Sequence, residues 1–398
     1  MTEYDYSDEG EGQYIEIPDE PIPLSDPDLT AEELKAVEAV LRSPGLGAGP
    51  VVDEFERAFA AWLGRRYAIA VPSGTLGLAL ILLAQGIGPG DEVIAPSFSF
   101  RECAQAIAAI GATPVFVDID YWSGCITAAK AEAKITDKTR AIVVLNSNGH
   151  PADWTTLRAL ADKTGLPLIE DCSESIGSRY KGALVGTFGD ASLFDFSQPA
   201  PLVCGEGGMI VTDNVDLAMS VRRRRAHAVE ERGSVAVTSA PALAAKMSDI
   251  SAALGLVQLS RLDEILAKRR ETEATYAKFV QSFEGIKPPY VAPDVTDLHW
   301  FVYVVHLGTR YDRKTRDSII EELAQEQVEA AAYSVPLHLQ RHYFERGWRR
   351  GDVLVTEKVA DRAVALPFHS HLSPEQIEFI MATAKDALVN VSAAAAPY

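Results

Sequence analysis

Apolar residues of the chain follow two alternating patterns between residues 67 and 212. Short apolar runs bounded by polar residues or glycine predict strands, and longer runs at helical spacing predict helices. The predicted strands cover residues 67–71, 92–95, 114–117, 141–145, 166–170 and 209–212, with helices at 76–84, 104–110 and 154–163. This alternation predicts an α/β fold in which helices cover both faces of a mostly parallel sheet. Ligands of such sheets bind at the carboxyl ends of the strands.

Further patterns indicate where folded units begin and end. Thr30 and Glu33 have the spacing of a capping box, so the first helix is predicted to start there. A helical region over 250–276 predicts an arm between domains, and a strand pair at 300–307 followed by helices predicts a smaller α+β domain. The expected units are a flexible acidic tail at 1–28, a large domain with its arm at 29–287, and a small C-terminal domain at 288–398.

The excess of acidic over basic residues argues against one class of binding partner. The chain has 56 acidic and 37 basic residues and a net charge of -19, which repels phosphate backbones, so no nucleic-acid partner is expected. No run of about 18 uncharged apolar residues and no signal-peptide pattern is present, which predicts a cytoplasmic protein without membrane contact. The four cysteines lack CxxC spacing, so no zinc or other metal site is predicted.

The turn Ser73-Gly74-Thr75 connects the first predicted strand to the following helix. Backbone N–H groups and the positive end of the helix converge at such a turn, which is the form of a phosphate cradle. Taken alone, the motif is explained better as a structural turn.

Several neighbouring segments carry a more specific signal. The segments are Gly88–Phe100, Gly111–Asp120, Ile169–Asp171, Gly205–Gly208, Ser251–Leu259 and Val335–His338. In order and spacing they resemble the DegT/DnrJ/StrS family of pyridoxal 5′-phosphate (PLP) sugar aminotransferases. The resemblance implies the PLP transferase fold of type I, with a seven-stranded-type sheet in the large domain.

The resemblance also implies roles for individual residues. Asp171 matches the carboxylate that pairs with the pyridine nitrogen of the cofactor. Phe100 matches the aromatic residue that stacks on the ring, although a core position would explain it too. The Ser73-Gly74-Thr75 turn matches the phosphate site. His338 matches a position near the substrate, and a packed histidine is an equally good interpretation.

Five positions depart from the family pattern. Ala200 stands where the family has the Schiff-base lysine, and a methyl group can neither form the imine nor move the proton. Asp195 replaces a serine that reaches the phosphate, and Glu174 replaces a His or Gln near the ring. Ala244 replaces an asparagine that crosses the dimer interface, and Asn146 replaces a histidine. An engineered lysine replacement would leave the other positions intact, so natural loss is favoured over a laboratory change.

Three carboxylates are expected to gather in the cofactor pocket, those of Asp171, Glu174 and Asp195. Such a cluster is costly unless a cation, a proton or a basic side chain relieves it. We therefore hypothesise a positively charged ligand, such as an amine or a metal ion. Neutralisation from within the chain, by Arg101 or Lys246, is the alternative.

Three functions are compatible with these features. The first is a family-like protein of deoxysugar, aminosugar or natural-product biosynthesis that has lost ordinary transamination and binds a small molecule, such as a nucleotide sugar or an amine. The second is an enzyme that keeps PLP without a lysine and acts through an external aldimine. The third is a non-catalytic subunit that partners an active aminotransferase. The cofactor is therefore either none or PLP, and we expect a homodimer or a heteromer with an active paralogue.

Overall fold

The computed structural model describes residues 20–99, 103–226, 241–280, 286–287 and 289–394. The strands are β1 (Tyr67–Val71), β2 (Glu92–Pro96), β3 (Thr113–Val117), β4 (Thr139–Leu145), β5 (Leu168–Asp171), β6 (Arg179–Tyr180), β7 (Ala183–Leu184), β8 (Ala191–Asp195), β9 (Gly208–Thr212), β10 (Ile286–Lys287), β11 (Val295–Asp297), β12 (Tyr303–Leu307), β13 (Ala331–Ala332) and β14 (Ala363–Leu366).

In the first half of the chain, the predicted helices are present, and two further helices (α2 and α5 below) were not predicted. The α-helices of the described residues are α1 (Ala31–Leu41), α2 (Pro50–Leu63), α3 (Gly74–Ala84), α4 (Cys103–Ala109), α5 (Ala128–Glu132), α6 (Trp154–Thr164), α7 (Val215–Arg225), α8 (Asp249–Ser260), α9 (Leu262–Val280), α10 (Arg313–Gln325), α11 (Arg341–Phe344), α12 (Leu354–Ala360) and α13 (Pro374–Ala394). Thr30 caps α1 in the predicted capping box with Glu33.

The central sheet has seven strands in the order β1-β9-β8-β5-β4-β2-β3. The pairs β8–β5, β5–β4, β4–β2 and β2–β3 are parallel, whereas β9 is antiparallel to both β1 and β8. The strands are almost wholly buried, as expected for a sheet covered on both faces. The predicted α/β fold with a mostly parallel sheet is confirmed.

Two smaller sheets lie outside this layer. One has the order β10-β12-β14-β13 with antiparallel pairs, and the other has the order β11-β6-β7. The expected strand pair at 300–307 is therefore wrong, because only β12 forms there and its partners lie elsewhere in the chain. Just before β12, two backbone N–H groups donate to side chains. His299 N–H donates to Ser178 Oγ, and Val302 N–H donates to Asn148 Oδ1.

The predicted arm consists of two helices, α8 and α9, which meet at Arg261. The guanidinium group of Arg261 is almost buried and pairs with two carboxylates, those of Asp28 and Glu33, each at 2.7 Å. Gln258, one turn before the break, donates to Glu33 Oε1 at 2.8 Å. The break in the arm thus coincides with the point where the N-terminal segment is attached.

The segment 20–28 differs from the expected flexible tail. Ile22 is 1% exposed and its backbone N–H donates to the Gln327 carbonyl at 2.8 Å. Asp28 is buried against Arg261, and its second oxygen accepts from Lys268 at 3.0 Å. An acidic composition predicts solvation only where no basic partner is available, and here Arg261 and Lys268 supply one. Residues 1–19 lie outside the described residues.

A separate property of the described helices concerns membranes. Within the ranges that the structure describes, no helix is long and apolar enough to span a bilayer.

Replacing Arg261 tests the attachment of the N-terminal segment. We expect Arg261→Met to lower the free energy of unfolding by about 3–5 kcal/mol, because the buried carboxylate of Glu33 loses its cation and that of Asp28 is left with Lys268 alone. Arg42→Met is the control, since Arg42 and Glu38 form an exposed ion pair that contributes at most about 0.5 kcal/mol. Urea denaturation measures both, and equal losses in the two variants would contradict this role of Arg261.

The same pair of carboxylates predicts an acid-dependent loss of stability. Burial alone would raise the pKa of Asp28, but hydrogen bonds from Arg261, Lys268 and Ser370 lower it from 3.8 to about 2. Burial is likewise outweighed at Glu33, where hydrogen bonds from Thr30, Arg261 and Gln258 lower the pKa from 4.5 to about 2. Because the folded pKa values are depressed, this stabilisation is present above the unfolded values and is lost as the pH falls towards 2.

We expect the free energy of unfolding to fall less steeply with acid in Arg261→Met than in the wild-type chain. Urea titrations at a series of pH values below 4.5 measure the two slopes. Identical slopes would mean that Arg261 does not hold these carboxylates ionised.

Candidate functional site

A polar pocket lies at the carboxyl ends of β5 and β8 and at the N-terminus of α3. Its volume is about 290 Å³. The lining residues are Ser73, Gly74, Thr75, Leu78, Cys103, Asp171, Ser173, Leu193, Asp195, Ser197 and Glu206. The described residues that line it include three carboxylates and no lysine or arginine. The pocket thus occupies the edge of the sheet at which ligands of α/β folds bind.

The turn between β1 and α3 forms one wall of the pocket. Ser73 has an extended backbone and caps the helix, because its Oγ accepts a hydrogen bond from Leu76 N–H at 3.3 Å. Gly74 follows as the first helical residue, and its N–H points to the pocket side, where it donates to Asp195 Oδ2 at 2.7 Å. The positive end of α3 therefore already faces an anion from within the chain.

Asp195 ends β8 and holds its carboxylate against this turn. Its other oxygen, Oδ1, accepts hydrogen bonds from Ser197 N–H at 3.0 Å and from Ser197 Oγ. A β-carbon added at Gly74 would lie 2.7 Å from Asp195 Oδ2 and 2.9 Å from Asp195 Cβ. A glycine is therefore required at position 74 for the carboxylate to approach so closely.

Asp171 ends β5, the strand that pairs with β8 in the central sheet. Its side chain is buried, and Oδ1 accepts from Ser173 N–H at 3.0 Å. Burial, together with the negative charges of Glu174 and Asp195, raises the pKa of Asp171 to about 6, although the hydrogen bonds from Ser173 oppose this shift. Asp171 therefore exchanges a proton close to neutral pH.

Glu174 does not line the pocket. Its Oε2 accepts from Asn148 N–H at 2.7 Å and from the hydroxyl group of Tyr333, and the side chain is buried. Of the three acids expected to gather, the structure therefore brings Asp171 and Asp195 to the cavity. Glu174 instead joins the loop after β4 to the segment after β13, and Glu206 is the third acid of the lining.

His338 also lies outside the pocket lining. The ring is fully buried, with Nδ1 at 2.7 Å from Ser97 Oγ and Nε2 at 3.2 Å from Glu357 Oε1. Burial lowers the pKa of His338, although the hydrogen bond to Glu357 opposes this shift. The geometry matches the packed histidine that was the alternative interpretation of this residue.

The remaining departures from the family pattern have these positions. Ala200 lies in the loop after β8 and is 7% exposed. Its backbone N–H donates a hydrogen bond to the Ser197 carbonyl oxygen at 3.2 Å. Ala244 is exposed and has a φ of +53°, a conformation that suits asparagine better than alanine. Asn146 is buried and accepts from Trp154 Nε1, which is a structural role. Phe100 lies outside the described residues.

Several pocket residues were missed in the sequence. Ser173 and Ser197 each lie two residues after an aspartate that ends a strand, and this spacing could have indicated them. Glu206 belongs to the Glu-Gly-Gly segment that was noted only as a family block. Tyr333 has no local signal, because its contact with Glu174 spans 159 residues. Among the described residues, no group of three or more His, Cys, Asp or Glu side chains could hold a metal ion.

Comparison with known proteins identifies the family of this chain. The model of the DegT/DnrJ/EryC1/StrS aminotransferase family matches residues 27–385. The chain belongs to this family. The resemblance seen in the sequence segments is thereby confirmed for the fold and for the family.

Individual members of the DegT/DnrJ/EryC1/StrS family are similar over their whole length. The spore coat polysaccharide biosynthesis protein SpsC of Bacillus subtilis is 33% identical over 376 residues, which cover 92% of this chain and 96% of SpsC. The crystal structure of the aminotransferase TlmJ from Streptoalloteichus hindustanus has a TM-score of 0.85 and 32% identity, covering 93% of this chain and 100% of TlmJ. A Streptococcus pneumoniae protein assigned as a sugar aminotransferase, in its PLP-form, has a TM-score of 0.87 and 27% identity, covering 93% and 99% of the two chains.

The raised pKa of Asp171 predicts a pH-dependent gain in stability for Asp171→Asn. As the pH rises from 3.8 to about 6, the unfolded chain ionises at this residue before the folded chain does, so the folded state is disfavoured. We expect Asp171→Asn to raise the free energy of unfolding by roughly 1–3 kcal/mol above this range and to have no effect below it. Asp216→Asn, which removes a charge from the first turn of α7, is the control for net charge. Urea titration at acid and mildly alkaline pH measures both variants, and a gain that does not depend on pH would contradict the assignment.

Proposed function

We propose that this chain is a sugar-aminotransferase-like protein of deoxysugar, aminosugar or natural-product biosynthesis that binds a small molecule but does not carry out ordinary transamination. The similarity to SpsC, a spore coat polysaccharide biosynthesis protein, supports the biosynthetic setting, and the similarity to TlmJ supports the aminotransferase-like part of the proposal. The observation that carries the loss of transamination is Ala200, which stands at the position of the family's lysine.

Within the part of the chain that the structure describes, the lining of the pocket offers no amine that could replace the lysine. The described residues around the pocket include no lysine. Lys246, which follows the altered segment at Ala244, has an exposed side chain outside the pocket lining. Pro199 and Pro201 flank Ala200 and lack backbone N–H groups, so this part of the loop cannot supply donors in place of the lysine. A side chain of one carbon cannot form a covalent bond to an aldehyde.

The residues present do not fit PLP in the orientation that the family resemblance implies. Gly74 N–H, which would face the phosphate, donates instead to Asp195 Oδ2. A dianionic phosphate at this place would meet the carboxylate at contact distance, which is strongly unfavourable in a partly desolvated pocket. The cofactor we expect in the wild-type chain is therefore none. An enzyme that keeps PLP without a lysine would require Asp195 to leave this position.

The lining suggests the chemistry of the ligand. Hydroxyl groups of Ser73, Thr75, Ser173 and Ser197 face a space with carboxylates of Asp171 and Asp195. Hydroxyl and carboxylate oxygens suit the hydroxyl groups of a sugar or an amine. A sugar or an amine is therefore the ligand class that we propose, and a nucleotide sugar would need its phosphates to lie beyond this pocket.

A second candidate function is that of a subunit that partners an active aminotransferase. An apolar groove of about 500 Å³ lies between α1, the loop at 43–49, the start of α2 and α8. Leu34, Leu41 and Leu46 are 73%, 58% and 49% exposed near it, which is unusual for a face that meets only water. We propose that a second chain covers this face, either another copy or an active paralogue. Sedimentation analysis of the chain alone and after co-expression with a paralogue separates the two.

The proposed loss of transamination predicts a specific spectral result. The wild-type chain soaked with PLP and then desalted is expected to show no imine absorption, and L-glutamate is expected to yield no pyridoxamine phosphate. The assay follows absorbance and the products by mass spectrometry. The control is an active relative, TlmJ, treated in the same way. Conversion of the cofactor by the wild-type chain would refute the proposal.

A further inference from the structure

We propose that the Asp195 carboxylate is a built-in replacement for a ligand phosphate at the N-terminus of α3, so that this pocket selects ligands without a phosphate there. This inference rests on the proposed function in one respect, namely that the pocket binds a small molecule without the family's cofactor chemistry. Because the chain itself supplies the anion at the N-terminus of α3, the ligand class is defined by the lack of a phosphate at that place.

The hydrogen bond to Gly74 is the first support. A phosphate in the turn would accept the Gly74 N–H, and Asp195 Oδ2 already does so at 2.7 Å. The turn cannot easily move back to make room, because Gly208 of β9 packs against it from another side. A β-carbon at Gly208 would lie 3.0 Å from Gly74 N and 2.8 Å from the Phe194 carbonyl oxygen.

The way in which Asp195 is fixed is the second support. Its backbone pairs with Gly208 at the end of the β8–β9 ladder, and its Oδ1 accepts from Ser197 N–H and Ser197 Oγ. A carboxylate bound through both oxygens is preorganised for this position. A competing phosphate would have to break these bonds or accept a third negative charge beside its own two.

The charge of the other lining residues is the third support. Asp171 and Glu206 also line the pocket, whereas no basic side chain of the described residues does. The negative charge of Asp195 also acts on Asp171, since it contributes to the raised pKa of that residue. An incoming dianion therefore finds no cation in the described lining to offset the repulsion.

Two aldehydes that differ only in the phosphate provide the test. In Ala200→Lys, an imine can form with pyridoxal and with PLP, and its absorbance reports the binding of each. We expect PLP to bind no more than about threefold better than pyridoxal in this variant, because Asp195 fills the phosphate position. In Ala200→Lys with Asp195→Ser, we expect PLP to bind at least about tenfold better than pyridoxal.

The same pair of titrations can overturn the inference. A preference of about tenfold or more for PLP in Ala200→Lys alone would show that Asp195 does not exclude phosphate. Equal binding of the two aldehydes by the double variant would show that the turn has no affinity for phosphate once Asp195 is removed. Circular dichroism of both variants verifies that they are folded.

A second measurement keeps Ala200 and therefore does not depend on the double variant. Inorganic phosphate, compared with chloride at equal ionic strength, is expected to raise the midpoint of thermal unfolding of Asp195→Ser and not that of the wild-type chain. Asp216→Ser is the matched control, because it removes an acid from the first turn of α7. An equal phosphate response of Asp216→Ser and Asp195→Ser, or of the wild-type chain, would refute the inference.

These outcomes are separable from those that test the proposed function. Production of pyridoxamine phosphate by the wild-type chain would refute the loss of transamination, whatever the two aldehydes show. A phosphate preference in Ala200→Lys would refute the role of Asp195 and leave the argument from Ala200 intact.

Discussion

The parallel pairing of β5 with β8 is the constraint on which the site depends. Because the two strands run in the same direction, with Asp171 opposite Leu193, their carboxyl ends reach the same edge of the sheet. Asp171 and Asp195 therefore enter one cavity although 24 positions separate them in the numbering. The antiparallel β9 then brings Gly208 beside Asp195 and against the turn that starts α3. The fold thus determines that any charge placed at the end of β8 faces the positive end of α3.

A carboxylate in this place changes what the pocket can hold. The N-terminus of a helix stabilises one negative group, and in this chain the group is a side chain that cannot dissociate. The pocket keeps a volume of about 290 Å³ and a polar lining, so it can still bind a small molecule. Under the function proposed above, the alanine at position 200 and the carboxylate at position 195 act in the same direction, since each would remove a separate requirement of PLP chemistry.

The N-terminal segment shows how a buried cation organises distant parts of the same chain. Arg261 interrupts the arm between α8 and α9 and pairs with carboxylates from Asp28 and Glu33, more than 220 residues away. Lys268 adds a second positive charge to Asp28. These buried charges are compatible with a stable fold only together, because burying any one of them without its partners would cost free energy. The ordered chain therefore starts earlier than composition suggests.

The sequence by itself determined the α/β class and many of the elements in the large domain. Strand and helix periodicities identified β1 to β5, β9 and the helices α3, α4 and α6, but neither α5 nor β8, the strand that carries Asp195. The Thr30 capping box identified the start of α1, and the family segments identified Asp171 as a residue at the end of a strand. These signals are local, or depend on spacing along the chain. The tertiary structure alone decided where side chains point: Asp195 bonds to Gly74 across 121 residues, and Glu174 turns to Tyr333 instead of the pocket. The physical reason is that a hydrogen-bond partner is selected by proximity in the folded chain, which periodicity does not encode.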